Sequence, residues 1–269
     1  MDYFTDKTEI KKRKELVQLM DDWKAIIRTK PQITFSDDNK PYDAIEYFNS
    51  DGFFPGYFKA SKRILFIGRE SRYNSPCYSN GDRITTELDR FNKGINPNTS
   101  SYWRRLLYIV YGIQNNEPSF DTIPEAKAIL SEMVKKQNYG FAIMNISKYS
   151  NDSEYGATAD FALINRFLSD SNNENKNFIK EEISLLEPDI IITANLWDGN
   201  INFSQLEKVF PKENCKILKV KKGIASMWDY NLDNKKNIKL IDTWHFSRRG
   251  NDQQLFYDPI MDFLFEKNK

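Results

Sequence analysis

Three polar side chains that can do chemistry each follow a short apolar run in this sequence. Glu70 comes two residues after Gly68, which ends the run at residues 64–67, and Asn145 is the last residue of the run at 141–145. His245, the only histidine of the chain, follows the run at 238–243. A partly desolvated carboxylate can activate water, and a carboxamide offers a donor and an acceptor to the edge of a nucleobase. A neutral imidazole can donate a hydrogen bond to an oxygen that gains negative charge.

Each of these residues also has a simpler interpretation. Glu70 can pair with a neighbouring arginine at the rim of a loop, and Asn145 can cap the turn that follows it. His245 can be a packed residue, while Arg248 and Arg249 beyond it can be a solvated charge pair or can hold phosphates. The residue types alone leave both interpretations open.

Short apolar runs indicate the elements that would bring these side chains together. Runs typical of buried strands lie at residues 64–67, 141–145, 189–193, 216–220 and 238–243. Amphipathic stretches predict helices at residues 8–28, 42–48, 83–91, 100–111, 123–136, 159–168, 176–186, 203–210 and 253–265. Right-handed crossovers place the carboxyl ends of parallel strands on one edge, so the residues that follow Gly68, Asn145 and the run at 238–243 are expected to converge there.

The alternation of strands and helices predicts an α/β fold of three layers, α/β/α, with a mostly parallel central sheet of four to five strands. Residues 1–60 are expected to form an N-terminal helical cap and an aromatic loop, DGFFPGY at 51–57, which packs as a small satellite core or lines a pocket. Residues 61–269 are expected to form the α/β domain, and the two parts one compact unit.

Composition limits the possible partners and sites. The chain has 269 residues and a net charge of +1, which excludes a uniformly basic nucleic-acid coat but permits a local basic groove. Two cysteines, Cys77 and Cys215, are too few for a disulfide framework or a cysteine-based metal cluster. No stretch reads as a membrane span or a signal peptide. The sequence therefore predicts a cytoplasmic monomer with no cofactor, no metal and no membrane partner.

The order of these motifs resembles that of the uracil-DNA glycosylase superfamily. The strongest points are Gly68-Arg69-Glu70-Ser71, Asn145 and His245-Phe246-Ser247-Arg248-Arg249, while EEISLLEPDIIIT at 181–193 is similar to the family's helix and third strand. Members of this family cut the bond between an altered base and deoxyribose after flipping the base out of the duplex. The resemblance covers residues 62–250 and implies DNA, single- or double-stranded, as the partner.

The resemblance also implies a role for each matching residue. Glu70 would position the attacking water, and His245 would stabilise the departing base anion. The base-binding residues that it implies are Gly68, Arg69, Asn145 and Tyr78. The DNA-binding residues that it implies are Ser247, Arg248 and Arg249. Within these sets, Tyr78 in Cys77-Tyr78-Ser79 would stack on the base, and Arg249 would fill the gap left in the duplex.

Two departures from the family's pattern leave other functions open. Glu70-Ser71-Arg72 stands where the family usually has Asp-Pro-Tyr or Asn-Pro-Gly, and Phe246 replaces the proline that normally follows the histidine. Proline restricts the backbone, so its replacement bears directly on the geometry of that loop. The alternatives are a non-catalytic module that binds nucleic acid or a modified base, and a hydrolase of free nucleosides or nucleotides.

Overall fold

The structure is a computed structural model that describes residues 3–72, 83–116, 119–152, 159–173, 176–196, 210, 212–232 and 236–265. In the described residues the α-helices are α1 Lys7–Ile27, α2 Arg83–Asn92, α3 Ser101–Gln114, α4 Ala126–Lys136, α5 Phe161–Ser171, α6 Phe178–Leu186 and α7 Asp258–Phe265. The strands are β1 Gln32–Phe35, β2 Asp38–Asp43, β3 Gly52–Phe53, β4 Ile64–Gly68, β5 Phe141–Asn145, β6 Asn172–Asn173, β7 Lys176–Asn177, β8 Ile190–Ala194, β9 Cys215–Lys221, β10 Ala225–Leu232 and β11 Lys236–Thr243.

A seven-stranded sheet of order β3-β5-β4-β8-β11-β10-β9 forms the centre of the described structure. Its inner strands β5, β4, β8 and β11 are parallel to one another. β3 at one edge and β10 and β9 at the other pair antiparallel. The α/β prediction is confirmed, but four to five strands was too few. β3 has only two residues, and β10 alternates buried and half-buried positions instead of forming an apolar run.

Two groups of helices cover the sheet. The connection from β4 to β5 contains α2, α3 and α4, and the connection from β5 to β8 contains α5 and α6. These connections run in opposite directions along the sheet, so right-handed crossovers place them on opposite faces. The packing agrees, because α1 contacts α5 and α6 whereas α3 contacts α4 and α7.

The N-terminal residues share the core of the α/β domain. The ring of Trp23 on α1 is fully buried and stacks on Phe178 of α6 at 5.0 Å. Glu9, also buried, accepts hydrogen bonds from the backbone N–H groups of Gly56 at 3.1 Å and Phe58 at 3.0 Å. The helix therefore fixes the aromatic loop at 51–57, and the apolar rings of that loop belong to the core.

Several predicted elements differ in the structure. The helix predicted at 42–48 is wrong: β2 forms a hairpin with β1, and the rings of Phe35 and Tyr42 pack at 4.9 Å across it. The chain then turns through residues 44–47. The helix predicted at 203–210 lies outside the described residues apart from Phe210. The predicted C-terminal helix begins with a π-helical turn, Gln253–Tyr257, and continues as α7. None of the described helices has the length and apolar character needed to cross a bilayer.

Candidate active site

The ends of the four parallel strands bring the sequence-predicted residues to one edge of the sheet. Gly68 is the register partner of Asn145, and Thr243, the last residue of β11, is the partner of Ala194. Three strand spacings of about 4.8 Å separate β5 from β11, so their ends lie about 14 Å apart. Glu70, Asn145 and His245 therefore emerge on the same edge, as the topology predicted.

Asn145 is 5% exposed and is held from two sides. Its backbone N–H donates to the carboxylate of Asp51 at 3.2 Å. The surrounding donors assign the orientation of its carboxamide, whose oxygen accepts from the Ser71 N–H at 3.2 Å and from Nη1 of Arg83 at 3.1 Å. The Asn145 side chain thus bonds to Ser71 and Arg83 rather than capping its own turn, and in this orientation its Nδ2 faces acceptor groups on the Gly68 side.

A buried cluster of charges lies next to Asn145. Nζ of Lys148 is fully buried, contacts the Asp51 carboxylate and lies 2.8 Å from Glu182. Arg83 approaches the same Asp51 at 3.5 Å. Burial raises the pKa of Glu182 far above its ordinary value, against the lowering effect of Lys148. Removing one member of such a cluster leaves an uncompensated buried charge, so Asp51 is held firmly where it binds the Asn145 backbone.

Glu70 has one engaged and one available oxygen. Oε1 accepts from Nδ2 of Asn151 at 3.1 Å and from the backbone N–H of Asp160, just before α5, at 3.0 Å. Oε2 is buried and has no hydrogen-bond partner among the described residues. Burial raises the pKa of Glu70 to about 7, although both hydrogen bonds oppose the shift. Near neutral pH this carboxylate can therefore exchange a proton with a water or substrate at Oε2.

His245 is neutral near pH 7 and has a defined tautomer. Burial, and secondarily the charge of Arg69, lowers its pKa to about 4. Nδ1 accepts from the backbone N–H of Ser247 at 3.3 Å, which leaves Nε2 as the protonated nitrogen. The imidazole can therefore donate one hydrogen bond through Nε2 without carrying charge.

Tyr102 of α3 lies next to His245. Its ring centroid is 6.3 Å from that of His245. Burial raises the pKa of its hydroxyl, and the charges of Arg83 and Asp51, which contact Asn145, act on it as well. The ring contact places Tyr102 on the His245 side of the site.

Arg69 is anchored across the edge of the sheet. Its Nε and Nη2 donate to the backbone oxygen of Asn195, at 3.1 and 2.5 Å, and its guanidinium lies over the ring of Phe161 at 5.1 Å. These contacts join the end of β8 to α5. They also place a positive charge beside His245.

The loop after β11 has one buried side chain, Phe246, followed by exposed polar residues. Phe246, in the place of the expected proline, is buried and packs on Phe66 at 5.6 Å. Ser247, Arg248 and Arg249 are exposed, and the Arg248 guanidinium stacks on Trp244 at 3.4 Å. The predicted DNA-contacting residues therefore lie on the solvent side of the loop.

Some of the site lies beyond the sequence prediction or beyond the described residues. Tyr78 and Cys77 are outside the part that the structure describes. Sequence reasoning missed Asp51, Arg83 and Tyr102. Asp51 opens a turn-rich loop, which is a weak signal, and the other two lie in predicted helices where nothing distinguished them. No group of three potential metal-ligating side chains occurs among the described residues.

No protein-family model matches the chain, and a search of curated proteins finds no similar sequence. The arrangement of the site therefore carries the functional argument: an edge of parallel strands that brings together a carboxylate, a carboxamide and a neutral imidazole.

Proposed function

We propose that this chain is a DNA glycosylase that hydrolyses the bond between an altered base, such as uracil, and deoxyribose. One observation carries the proposal. Glu70, Asn145 and His245 follow three parallel strands that end on one edge; Oε2 of Glu70 has no hydrogen-bond partner among the described residues, and Nδ1 of His245 accepts from Ser247, so that Nε2 carries the proton. This reaction requires three groups: a general base that accepts a proton from water, a hydrogen-bond donor that recognises the nucleobase, and a donor that stabilises the departing base anion.

In the proposed reaction Glu70 acts on water. Its ionised Oε2 accepts a proton as the water oxygen forms a bond to C1′ of the sugar, and the N-glycosidic bond breaks with its electron pair leaving on the base. Nε2–H of His245 donates to the oxygen of the base on which this charge develops. One such preorganised donor is worth about 3 kcal/mol in a water-excluded site.

Asn145 would set which bases are accepted. Its carboxamide oxygen accepts from Ser71 and Arg83, so Nδ2 is the group of this side chain that would donate to a base. A donor of this kind favours a base that presents a carbonyl oxygen and disfavours one that presents an amino group, which would face it as a second donor.

The DNA side of the proposal rests on the exposed residues 247–249. A stacked base must leave the duplex to reach the site, at a cost of a few kcal/mol. Arginines at the rim can bind phosphates and offset part of this cost. Arg248 and Arg249 belong to the same loop as His245, so phosphate contacts there would be close to the proposed chemistry.

The test is incubation of the purified protein with uracil-containing and mismatched DNA, followed by alkali to break abasic sites. Wild type should release the base, whereas Glu70→Gln and His245→Ala should lose about 10²-fold or more of the rate. Glu132→Gln, an exposed change on α4, serves as the control and should keep full activity. No product from a broad panel of bases, with folded wild-type protein, would contradict the proposal.

A second candidate is a non-catalytic module that binds a modified base or nucleic acid. The bonds of Arg69 favour it. Arg69 matches the base-binding motif, but its Nε and Nη2 already donate to the backbone oxygen of Asn195 and so hold it in a structural role. Salt-sensitive DNA binding without base release in the same assay would select this alternative.

A further inference from the structure

One buried arginine holds the loop that carries His245. Nη1 of Arg105, on α3, donates to the backbone oxygens of Phe246 at 2.5 Å and Arg248 at 2.6 Å. Nη2 donates to the backbone oxygen of Gly250 at 3.0 Å. Three carbonyls on alternate residues of the loop therefore converge on a single guanidinium.

The guanidinium itself is fixed on its other side. Nε of Arg105 donates to Oδ1 of Asp252 at 2.7 Å, and the group lies 3.8 Å from the centre of the Phe256 ring. The side chain is 3% exposed. A planar fork with five donors can bind several fixed acceptors at once, which a single lysine ammonium cannot do in the same geometry.

The bonds from Arg105 restrain the backbone of the loop, a restraint that its sequence does not provide. Phe246 does not restrict its own backbone as proline would, and burial of its ring fixes the side chain rather than the carbonyls. We propose that Arg105 is a positioning residue, which orients the loop through its three carbonyls and so sets where the His245 imidazole lies. The predicted effect on turnover rests on the proposed glycosylase function, whereas the effect on the loop does not.

The chain offers a matched control next to Arg105. Nε of Arg104 donates to the other oxygen of the same Asp252, at 2.6 Å, and its Nη1 donates to the backbone oxygen of Asn98 at 2.6 Å. Arg104 therefore shares the acidic partner but, among the described residues, does not bond a carbonyl of the loop. Comparing Arg105→Lys with Arg104→Lys separates the loop contacts from the ion pair.

His245 provides a direct readout because it is the only histidine in the chain. In wild type its proton NMR titration should give a pKa of about 4, as burial and the nearby Arg69 dictate. In Arg105→Lys the imidazole should gain solvent, and its pKa should rise by about one unit or more toward the ordinary value of about 6.5. Arg104→Lys should titrate as wild type does.

Turnover is the second readout. A misplacement of about 1 Å can cost about 10²-fold in rate, so Arg105→Lys should lower kcat by roughly that factor and change KM much less. Arg104→Lys should keep the wild-type kcat. A folded Arg105→Lys protein with an unshifted His245 titration, or with a shifted titration and unchanged kcat, overturns the proposal.

The proposal stays testable if Arg105→Lys does not fold or if the wild-type protein releases no base. If Arg105→Lys does not fold, Gly250→Ala replaces it, because Gly250 has φ +154°, a backbone conformation that strains any residue with a Cβ, whereas the Leu255 methyl group near that Cβ can move aside. That change displaces the third carbonyl while Arg105 stays in place, and it should raise the pKa of His245; no shift overturns the proposal. If wild type releases no base, the glycosylase function fails while the titrations still decide whether Arg105 positions the loop.

Discussion

The carboxamide of Asn145 lies so close to Gly68 that only glycine fits beside it. A Cβ built on Gly68 would come within 2.5 Å of the end of the Asn145 side chain. The two residues are register partners at the ends of adjacent parallel strands, so their backbones cannot separate without disturbing the sheet. The glycine is thus required for packing against Asn145, since its φ does not lie in the left-handed region.

Gly68→Ala should therefore displace the Asn145 carboxamide. Overpacking of this kind costs about 1–3 kcal/mol, and we expect kcat/KM for base release to fall about 10-fold or more. The measurement is a double-mutant cycle with Asn145→Ala. Once the carboxamide is absent, Gly68→Ala should add little to the loss; an equally large effect in both backgrounds would show that Gly68 acts in another way.

Glu70 should determine the pH dependence of the reaction. Its pKa is raised to about 7, so the ionised, water-activating form should grow as pH rises through 7 and then level off. His245, with a pKa lowered to about 4, should contribute no step between pH 5 and 8. The check is a profile of kcat/KM against pH. Glu70→Gln should show little residual activity and no step near 7, and an unchanged profile would exclude Glu70 as the base.

The same carboxyl group should make stability depend on pH. A raised pKa means that the folded state favours the protonated form, so the stabilising contribution is complete below about 4.5 and is lost as pH rises through about 7. Glu70→Gln keeps an oxygen for Asn151 and Asp160 but cannot ionise. Relative to wild type it should gain up to about 3 kcal/mol at pH 8 and nothing at pH 4.5. Urea denaturation of both proteins at the two pH values measures this difference, and a constant difference would contradict it.

Asn145→Asp should change which base is preferred. The carboxylate would still offer one oxygen to Ser71 and Arg83, and its second oxygen would replace the Nδ2 donor. An acceptor at this position pairs with an amino group and repels a carbonyl oxygen, a discrimination worth about 1–3 kcal/mol. The measurement is the ratio of kcat/KM for a carbonyl-bearing base to that for an amino-bearing base, obtained by competition between the two in otherwise identical DNA. A general loss of activity without a change of preference would mean that Asn145 does not read the base.

Arg249 should contribute to DNA binding mainly through charge. It is exposed in the loop that carries His245, whereas Arg248 is stacked on Trp244. Arg249→Ala should weaken binding to all sequences and reduce the slope of log affinity against log salt by about 1. Arg28→Ala, an exposed change at the end of α1, is the charge-matched control. Equal effects of the two changes would indicate non-specific attraction rather than a defined contact.

Local sequence patterns were sufficient for the inner strands and most of the helices. The runs at 64–67, 141–145 and 189–193 are buried in the parallel sheet because an apolar segment of that length is stable only when covered on both faces. The antiparallel strands β3 and β10 and the hairpin of β1 and β2 escaped prediction. Their stability comes from pairing with neighbours rather than from a pattern of their own.

The residue types of Glu70, Asn145 and His245, and their places after strands, were determined by the sequence alone, and chain topology predicted their meeting at one edge. Only the tertiary structure decided which of their atoms remain available. The Asn145 backbone is held by Asp51, 94 residues away in the sequence, and the His245 loop by Arg105, 141 residues from Phe246. Hydrogen bonding and burial depend on such distant partners, and no local pattern encodes them.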